Sequence, residues 1–178
     1  MFRIEVRAEH PADRQAIDVI HLSAFGGDAE AQFVAAARDS EDFVPELSLV
    51  AEYRGRLVGH LMLSRIALAG AQSSVRVLAL APMAVVPSQA YRGIGGELLS
   101  YACEKSRALG YGAIVEIGQT DYYLRHDFKP LSELGLHHSL SLGDELVTVR
   151  ELEPGALPRG AELRFPALFD SLFRMEAW

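Results

Sequence analysis

The spacing of apolar and polar residues changes along the chain, and each change marks an element. FRIEVRA alternates apolar and charged residues, the period of a half-buried strand. HPADRQAIDVIHLSAF shifts to helical spacing, with Pro11 suited to a first helical position and Asp13 near the positive helix end. Ile17, Ile20 and Phe25, with Val19 and Leu22 nearby, supply the predicted apolar face, and Gly26-Gly27 ends the helix. A weaker helical pattern covers EAQFVAAARDS. LSLVAEYRGRLVGHLMLSRIAL reads as two strands joined around Arg54-Gly55-Arg56. VRVLALAPMAVVP is apolar for most of its length, as a central strand buried on both faces should be.

QAYRGIGGEL follows, and then GGELLSYACEKSRALGYG sets Leu98, Leu99, Ala102, Cys103, Ser106 and Leu109 on one helical face. Gly110 is the expected stop. AIVEIG predicts a short strand and TDYYLRHDF a short helix capped by Thr120 or Asp121. GLHHSLSL and ELVTVREL alternate as strands. Pro154, Pro158 and Pro166 suit a tail wrapped over a domain, with Phe165, Phe169, Phe173 and Trp178 as its anchors. Folding back onto the body is favoured over docking on a second subunit.

A length of 178 residues fits one domain, 1–178, with 151–178 as a C-terminal extension packed on it. The hydrophobic fraction of 49% is enough for a proper core. One cysteine, Cys103, excludes an internal disulfide; it falls on an apolar helical face and reads as a buried thiol. The opening stretch lacks a signal-peptide pattern and no apolar run is long enough to span a bilayer, so a cytoplasmic, membrane-free protein is expected. A net charge of −7 argues against nucleic-acid binding. Asp28, Glu30, Asp39, Glu41, Asp42, Glu46 and Glu52 lie together against Arg38 alone. That run is either a solvated face, the favoured reading, or a field that draws in cationic amines. Adjacent strand histidines such as His137 and His138 face opposite ways and cannot readily share an ion, so no metal is expected.

Three glycines within four residues, Gly93, Gly95 and Gly96, stand between a buried strand and a helix. Glycine lets backbone amides approach a ligand closely. The first amides of a helix lack internal acceptors and lie at its positive end, so such a loop can cradle a phosphate. Arg92 either adds a charged contact or is a solvated loop residue. No Lys-Ser or Lys-Thr follows the glycines, which excludes a P-loop. The G-x-G-G spacing, after several strands, also fits a dinucleotide fingerprint poorly. On spacing alone, a tight strand-to-helix turn remains an alternative.

PMAVVPSQAYRGIGGELLSYACEKSRALGYGAIVEIG, followed by YYLRHDF, resembles the GNAT superfamily of acetyl-CoA-dependent N-acetyltransferases. The family carries Q/R-x-x-G-x-G/A between its fourth strand and third helix, and a Tyr-x-x-x-Gly-Phe segment after its fifth strand. The tail VRELEPGALPRGAELRFPALFD is similar to the YhbS-like bacterial branch. In this chain Ala90 stands where the family has Gln or Arg, with Gln89 beside it, and Asp127 replaces the Gly before Phe128.

The resemblance implies an α/β (α+β) GNAT fold: one mixed, mostly antiparallel sheet of about six to seven strands flanked by helices, splayed between the fourth and fifth strands. It also implies that Ala90, Tyr91, Arg92, Gly93, Ile94, Gly95 and Gly96 hold the coenzyme A pyrophosphate. Met83, Ala84 and Val85 would pair with the pantetheine arm, whose amides can bond a strand edge as a peptide does. Tyr123 matches the family's general acid for the thiolate, with Tyr122 second; a phenol is protonated at neutral pH. Glu116, Glu52, His60 and a water chain remain open as the base. The implied reaction moves an acetyl group from acetyl-CoA to a primary amine by direct attack in a ternary complex. The substrate is expected to be a small-molecule amine, cationic if the acidic run bears on it, and a homodimer is the default assembly. Two rivals stand beside this reading: a non-catalytic coenzyme A-binding or sensory module on the same fold, and a purely structural partner protein.

Overall fold

The structure, a computed structural model, describes residues 3–70, 73–90 and 92–173. Trp178 and Tyr91 lie outside the described residues. The elements run β1 (Glu5–Ala8), α1 (Arg14–Phe25), α2 (Ala29–Arg38), β2 (Phe43–Tyr53), β3 (Arg56–Ala69), β4 (Val77–Val85) and α3 (Ile94–Ala108). After these come β5 (Ala113–Ile117), α4 (Thr120–Leu124), β6 (Lys129–Pro130), β7 (His137–His138), β8 (Val147–Glu151) and β9 (Glu162–Arg164). The strands form a mixed, mostly antiparallel sheet. Among the described residues nine strands stand against the expected six or seven, because β6, β7 and β9 are only two or three residues long. GLHHSLSL contributes only His137–His138, much less than its alternation suggests.

Contacts along the chain divide it into two compact units, with β3 passing from one to the other after Ser64 and β4 after Leu80. The first unit holds the residues up to Ser64 together with Ala81–Lys105. Its β1 runs antiparallel to β2, and β2 antiparallel to β3. The β2–β3 turn is Arg54-Gly55, both with positive φ (53° and 73°), the geometry of a two-residue hairpin whose twist suits the strands. Leu47 to Ala51 and Val58 to Ser64 are buried without alternation, so both faces of these strands are covered. A Cβ on Gly59 would meet Leu98 and Ile94 of α3 at 3.0 and 3.1 Å, so glycine there lets the helix lie close. His60 faces the other way and meets His21 of α1.

α1 follows a 3-10 turn, Pro11–Asp13, whose Asp13 accepts hydrogen bonds from the His10 amide and Arg7, each at 2.7 Å. Gly26 ends α1 at φ 73°, in the left-handed region that glycine enters without cost. Ile17 and Ile20 are buried as expected, but Val19, Leu22 and Phe25 are exposed, at 57%, 43% and 37%. His21 occupies the inward face instead, fully buried, because it has a polar partner there.

The second unit holds Arg65–Leu80 and the chain from Ser106 onward. β4 pairs parallel with β5 from Val77↔Ala113 to Leu80↔Glu116, and β5 continues antiparallel to β8 and β8 to β6. The β4–β5 register ends at Leu80, two residues before Pro82, which has no N–H for a ladder. The tail folds back: β9 runs antiparallel to the end of β3 and parallel to β7. Val77, Val115, Leu131, Val147, Val149 and Leu163 form the centre of this unit's core. Phe169 is buried, with the rings of Phe165 and Phe173 5.3 and 6.4 Å from it.

Candidate acetyl-transfer site

In the first unit the glycine loop turns out of β4 through a 3-10 turn, Pro87–Gln89, and into α3. Gly93 has φ 79° with open space around a would-be Cβ, so its backbone rather than crowding demands glycine. The Glu97 amide donates to the Gly93 carbonyl at 3.0 Å and opens the helical ladder. The amides of Ile94, Gly95 and Gly96 precede it, at the end where helical donors lack ladder partners. Ile94 itself is buried, so its backbone alone is at issue. Arg92 is exposed, with its guanidinium 6.0 Å from the centre of the Tyr53 ring. The Ala90 amide donates to the Pro87 carbonyl at 3.2 Å, which removes it from the simple picture of a free cradle. Gln89 turns its side-chain oxygen inward, buried and without a hydrogen-bond partner among the described residues. Of the β4 edge, Ala84 is buried and Met83 and Val85 are half-buried.

His60 and Glu52 also belong to the first unit, but their surroundings differ. Glu52 is half-exposed and 3.9 Å from Arg7. His60 is fully buried and bonded through both ring nitrogens, to His21 at 2.8 Å and to Ser48 at 2.9 Å. Burial holds its pKa well below the usual imidazole value, with the nearby His21 and Arg38 adding to the effect. Nothing in the sequence around His60 marks these two partners. His21 escaped notice because it sits among the apolar positions of α1, and only its displacement of Val19 and Leu22 from the inward face betrays it.

In the second unit, α4 carries Tyr122 and Tyr123. Neither Thr120 nor Asp121 caps this helix: Gln119 holds the N-cap position, and the Thr120 hydroxyl donates instead to the Glu145 carbonyl at 2.8 Å. Glu116, at the end of β5, accepts hydrogen bonds from the Gln119 amide at 2.8 Å and the Thr148 hydroxyl at 3.0 Å. Burial lifts the Glu116 pKa to about 7, although both hydrogen bonds oppose it. Tyr123 is buried, and its pKa stands well above 10, first through burial and then through Glu116 and Tyr122. Tyr122 is half-buried and lies 5.0 Å from Tyr123, ring edge to ring face. Phe128 packs against Tyr123 at 5.2 Å. A cleft of about 540 Å³ beside α4 is lined by Gln119, Thr120, Tyr122, Arg125 and Leu146 among others.

The remaining sequence candidates are structural. Cys103 is buried. His137 is exposed, whereas His138 turns inward to Asp144 at 3.0 Å. Among the described residues, no three His, Cys, Asp or Glu side chains gather as a metal site requires.

Residues 14–128, which contain the glycine loop, Glu116 and Tyr123, match the Acetyltransferase (GNAT) family. The chain belongs to the GNAT family. The uncharacterized N-acetyltransferase YjhQ of Escherichia coli K12 is 36% identical over 67% of this chain and 66% of its own, so just under two thirds of that relative is matched. YhbS of the same organism, likewise an uncharacterized N-acetyltransferase, is 31% identical over 76% of this chain and 77% of its own. Among solved structures, a GNAT acetyltransferase of Brucella melitensis in complex with acetyl-CoA superposes with a TM-score of 0.75 and 27% identity, covering 94% of this chain and 99% of that one. E. coli YhbS in complex with CoA shares the fold, with a TM-score of 0.84 at 23% identity over 96% of this chain and 93% of its own. The backbone gives Asp127, which stands before Phe128, a physical reason. It has φ 66°, a left-handed conformation that glycine adopts freely and that aspartate tolerates better than most residues.

Proposed function

We propose that this chain transfers the acetyl group of acetyl-CoA to a primary amine. The glycine loop from Arg92 to Gly96 holds the pyrophosphate, and the Met83–Val85 edge holds the pantetheine arm. The observation that carries the reading is Tyr123, at the family's acid position, which burial keeps protonated across the physiological range. The amine nitrogen attacks the thioester carbonyl, the carbon–sulfur bond breaks, and Tyr123 delivers its proton to the departing thiolate. A backbone amide of β4, Val85 being our choice, stabilises the carbonyl oxygen.

Among the candidate bases, Glu116 is best matched to taking the amine proton. A carboxyl with a pKa of about 7 is half-ionised at neutral pH, where general-base efficiency is greatest. His60 is a poorer base, since burial disfavours its protonated form and both ring nitrogens are bonded. The non-catalytic coenzyme A-binding module remains the second reading, supported by Ala90, which lacks a polar side chain and whose amide is committed to Pro87. Calorimetric titration with acetyl-CoA, beside a Gly95→Glu control, tests the shared part of both readings. Saturable binding that the control abolishes supports the cradle, and turnover across an amine panel then decides for the enzyme. No binding to the unaltered protein overturns both.

A further inference from the structure

Five side chains from five segments of the first unit form one buried hydrogen-bonded chain. Arg38 of α2 donates to both carboxylate oxygens of Glu9, at 3.1 and 2.8 Å. The Ser48 hydroxyl of β2 lies 2.5 Å from Glu9 Oε1. Ser48 Oγ is 2.9 Å from His60 Nε2, and His60 Nδ1 is 2.8 Å from His21 Nε2.

The proton positions follow from one end. The Glu9 carboxylate, paired with Arg38, only accepts, so Ser48 must donate to it. With its one proton spent, Ser48 Oγ accepts from His60 Nε2–H. His60 Nδ1 is then an acceptor and receives the hydrogen bond of His21 Nε2–H. His21 Nδ1 is left as a bare lone pair. That atom is buried, and no donor reaches it among the described residues. A buried acceptor without a partner is costly, so a chain that sets every other proton and leaves this one atom unbonded calls for a donor from elsewhere.

Location indicates which donor. β3 and β4 are neighbours in the sheet, and the Val86 amide donates to the Val58 carbonyl at 2.9 Å; an antiparallel ladder continued from that bond sets Ala84 opposite His60, on the same sheet face. Ala84 lies in the segment assigned above to the pantetheine arm. His21 lies just beyond His60 on that face, covered by the parallel ring of Phe25, 6.0 Å away and itself 37% exposed.

We propose that His21 Nδ1 accepts an N–H hydrogen bond from the amine substrate and orients its nitrogen lone pair toward the thioester. His21 is thus a positioning residue, held in the required tautomer by His60, Ser48, Glu9 and Arg38. It takes no proton from the amine. Burial brings its pKa down to about 4, too low for an efficient base at neutral pH but suited to a permanent acceptor.

This inference rests on the acetyltransferase reading, and its test separates the two. Nitrogen-15 NMR of histidine-labelled protein reads the tautomers directly. At pH 7 both His21 and His60 should be neutral with the proton on Nε2, and His21 Nδ1 should resonate as an unbonded imidazole nitrogen. With coenzyme A present, adding spermidine, tyramine or glycinamide should move the His21 Nδ1 signal for at least one of the three. No movement with any of them overturns the proposal whether or not the protein turns over. A signal already shifted in the free protein and unmoved by amine assigns the position to a buried water and also overturns it. Where turnover is found, His21→Phe should raise KM for the amine at least tenfold with acetyl-CoA affinity unchanged. His21→Gln, which keeps a donor and an acceptor, should recover most of that loss. Parallel falls in melting temperature, acetyl-CoA affinity and amine KM in both variants would instead make His21 a packing residue.

Discussion

Glu116 accepts the Gln119 amide at 2.8 Å and so fixes the turn from β5 into the helix that carries Tyr123. The same burial that makes this bond useful raises the carboxyl pKa from 4.5 to about 7. The folded protein therefore binds more protons than the unfolded chain between those values, and stability falls as pH rises through that window. The cost is fully present above pH 7 and is at most about 3 kcal/mol. Glu116→Gln keeps both hydrogen bonds, since its oxygen can accept from Gln119 and its amide can donate to Thr148. Urea unfolding should show the variant more stable than the parent at pH 8 and nearly equal to it at pH 4.5. If Glu116 is also the base, the variant loses the acidic limb of its kcat profile and turns over more than tenfold more slowly. An equal stability gap at both pH values would refute the raised pKa.

Tyr123→Phe removes one hydroxyl and keeps the ring against Phe128. Coenzyme A affinity should stay within about twofold, while kcat falls on the order of 100-fold, the usual contribution of a positioned acid. Steady-state kinetics beside calorimetry separate the two effects. Unchanged turnover would remove Tyr123 as the acid and leave Tyr122, half-buried beside it, to be tested next.

What could be read without a structure was the part that depends on local pattern. β4 is buried on both faces because its apolar run has no polar interruptions, and Gly93 has the positive φ that its position before a helix suggests. Periodicity misled at α1, where an apolar face was expected to include Leu22 and Phe25, because a hydropathy pattern cannot show that His21 has a buried partner on another strand. The chain from Arg38 to His21 is equally invisible, since its bonded partners lie as far as 39 residues apart. The proposed Thr120 cap failed because the Glu145 carbonyl, distant in sequence, competes for that hydroxyl.

Asp127 occupies a left-handed conformation, φ 66°, in the segment between Tyr123 and Phe128. A β-branched residue meets far more resistance there than aspartate. Asp127→Val should destabilise the fold by about 1–3 kcal/mol, whereas Asp127→Gly should lie within about 1 kcal/mol of the parent. Equal midpoints for the Val and Gly variants in thermal unfolding would show that the backbone leaves this conformation at no cost.

The two paired histidines impose the opposite pH slope from Glu116. Burial brings the His21 pKa from 6.5 to about 4, so the unfolded chain binds more protons than the folded one across that interval. Stability is then fully present above pH 6.5 and is lost as pH falls toward 4, by up to about 3 kcal/mol for His21 alone. His21→Gln does not titrate at this position and should lose distinctly less stability than the parent between pH 6.5 and 4. Urea midpoints at half-unit intervals would show it, and parallel curves would mean that His21 is protonated in the folded protein.

The acidic run offers a test that discriminates field from surface. Asp39 and Glu46 are exposed, and an exposed charge acts on a substrate mainly through long-range attraction, which salt screens within about 8 Å at physiological ionic strength. If the run draws in a cationic substrate, Asp39→Asn combined with Glu46→Gln should raise KM for spermidine severalfold at low salt. The same pair should leave KM for uncharged acceptors unchanged, because only the charge product differs. The effect should vanish at about 0.5 M salt, where screening shortens to a few ångströms. A rise in KM that persisted at high salt would mean direct contact with the substrate, and no rise at either salt level would leave the run as a solvated face.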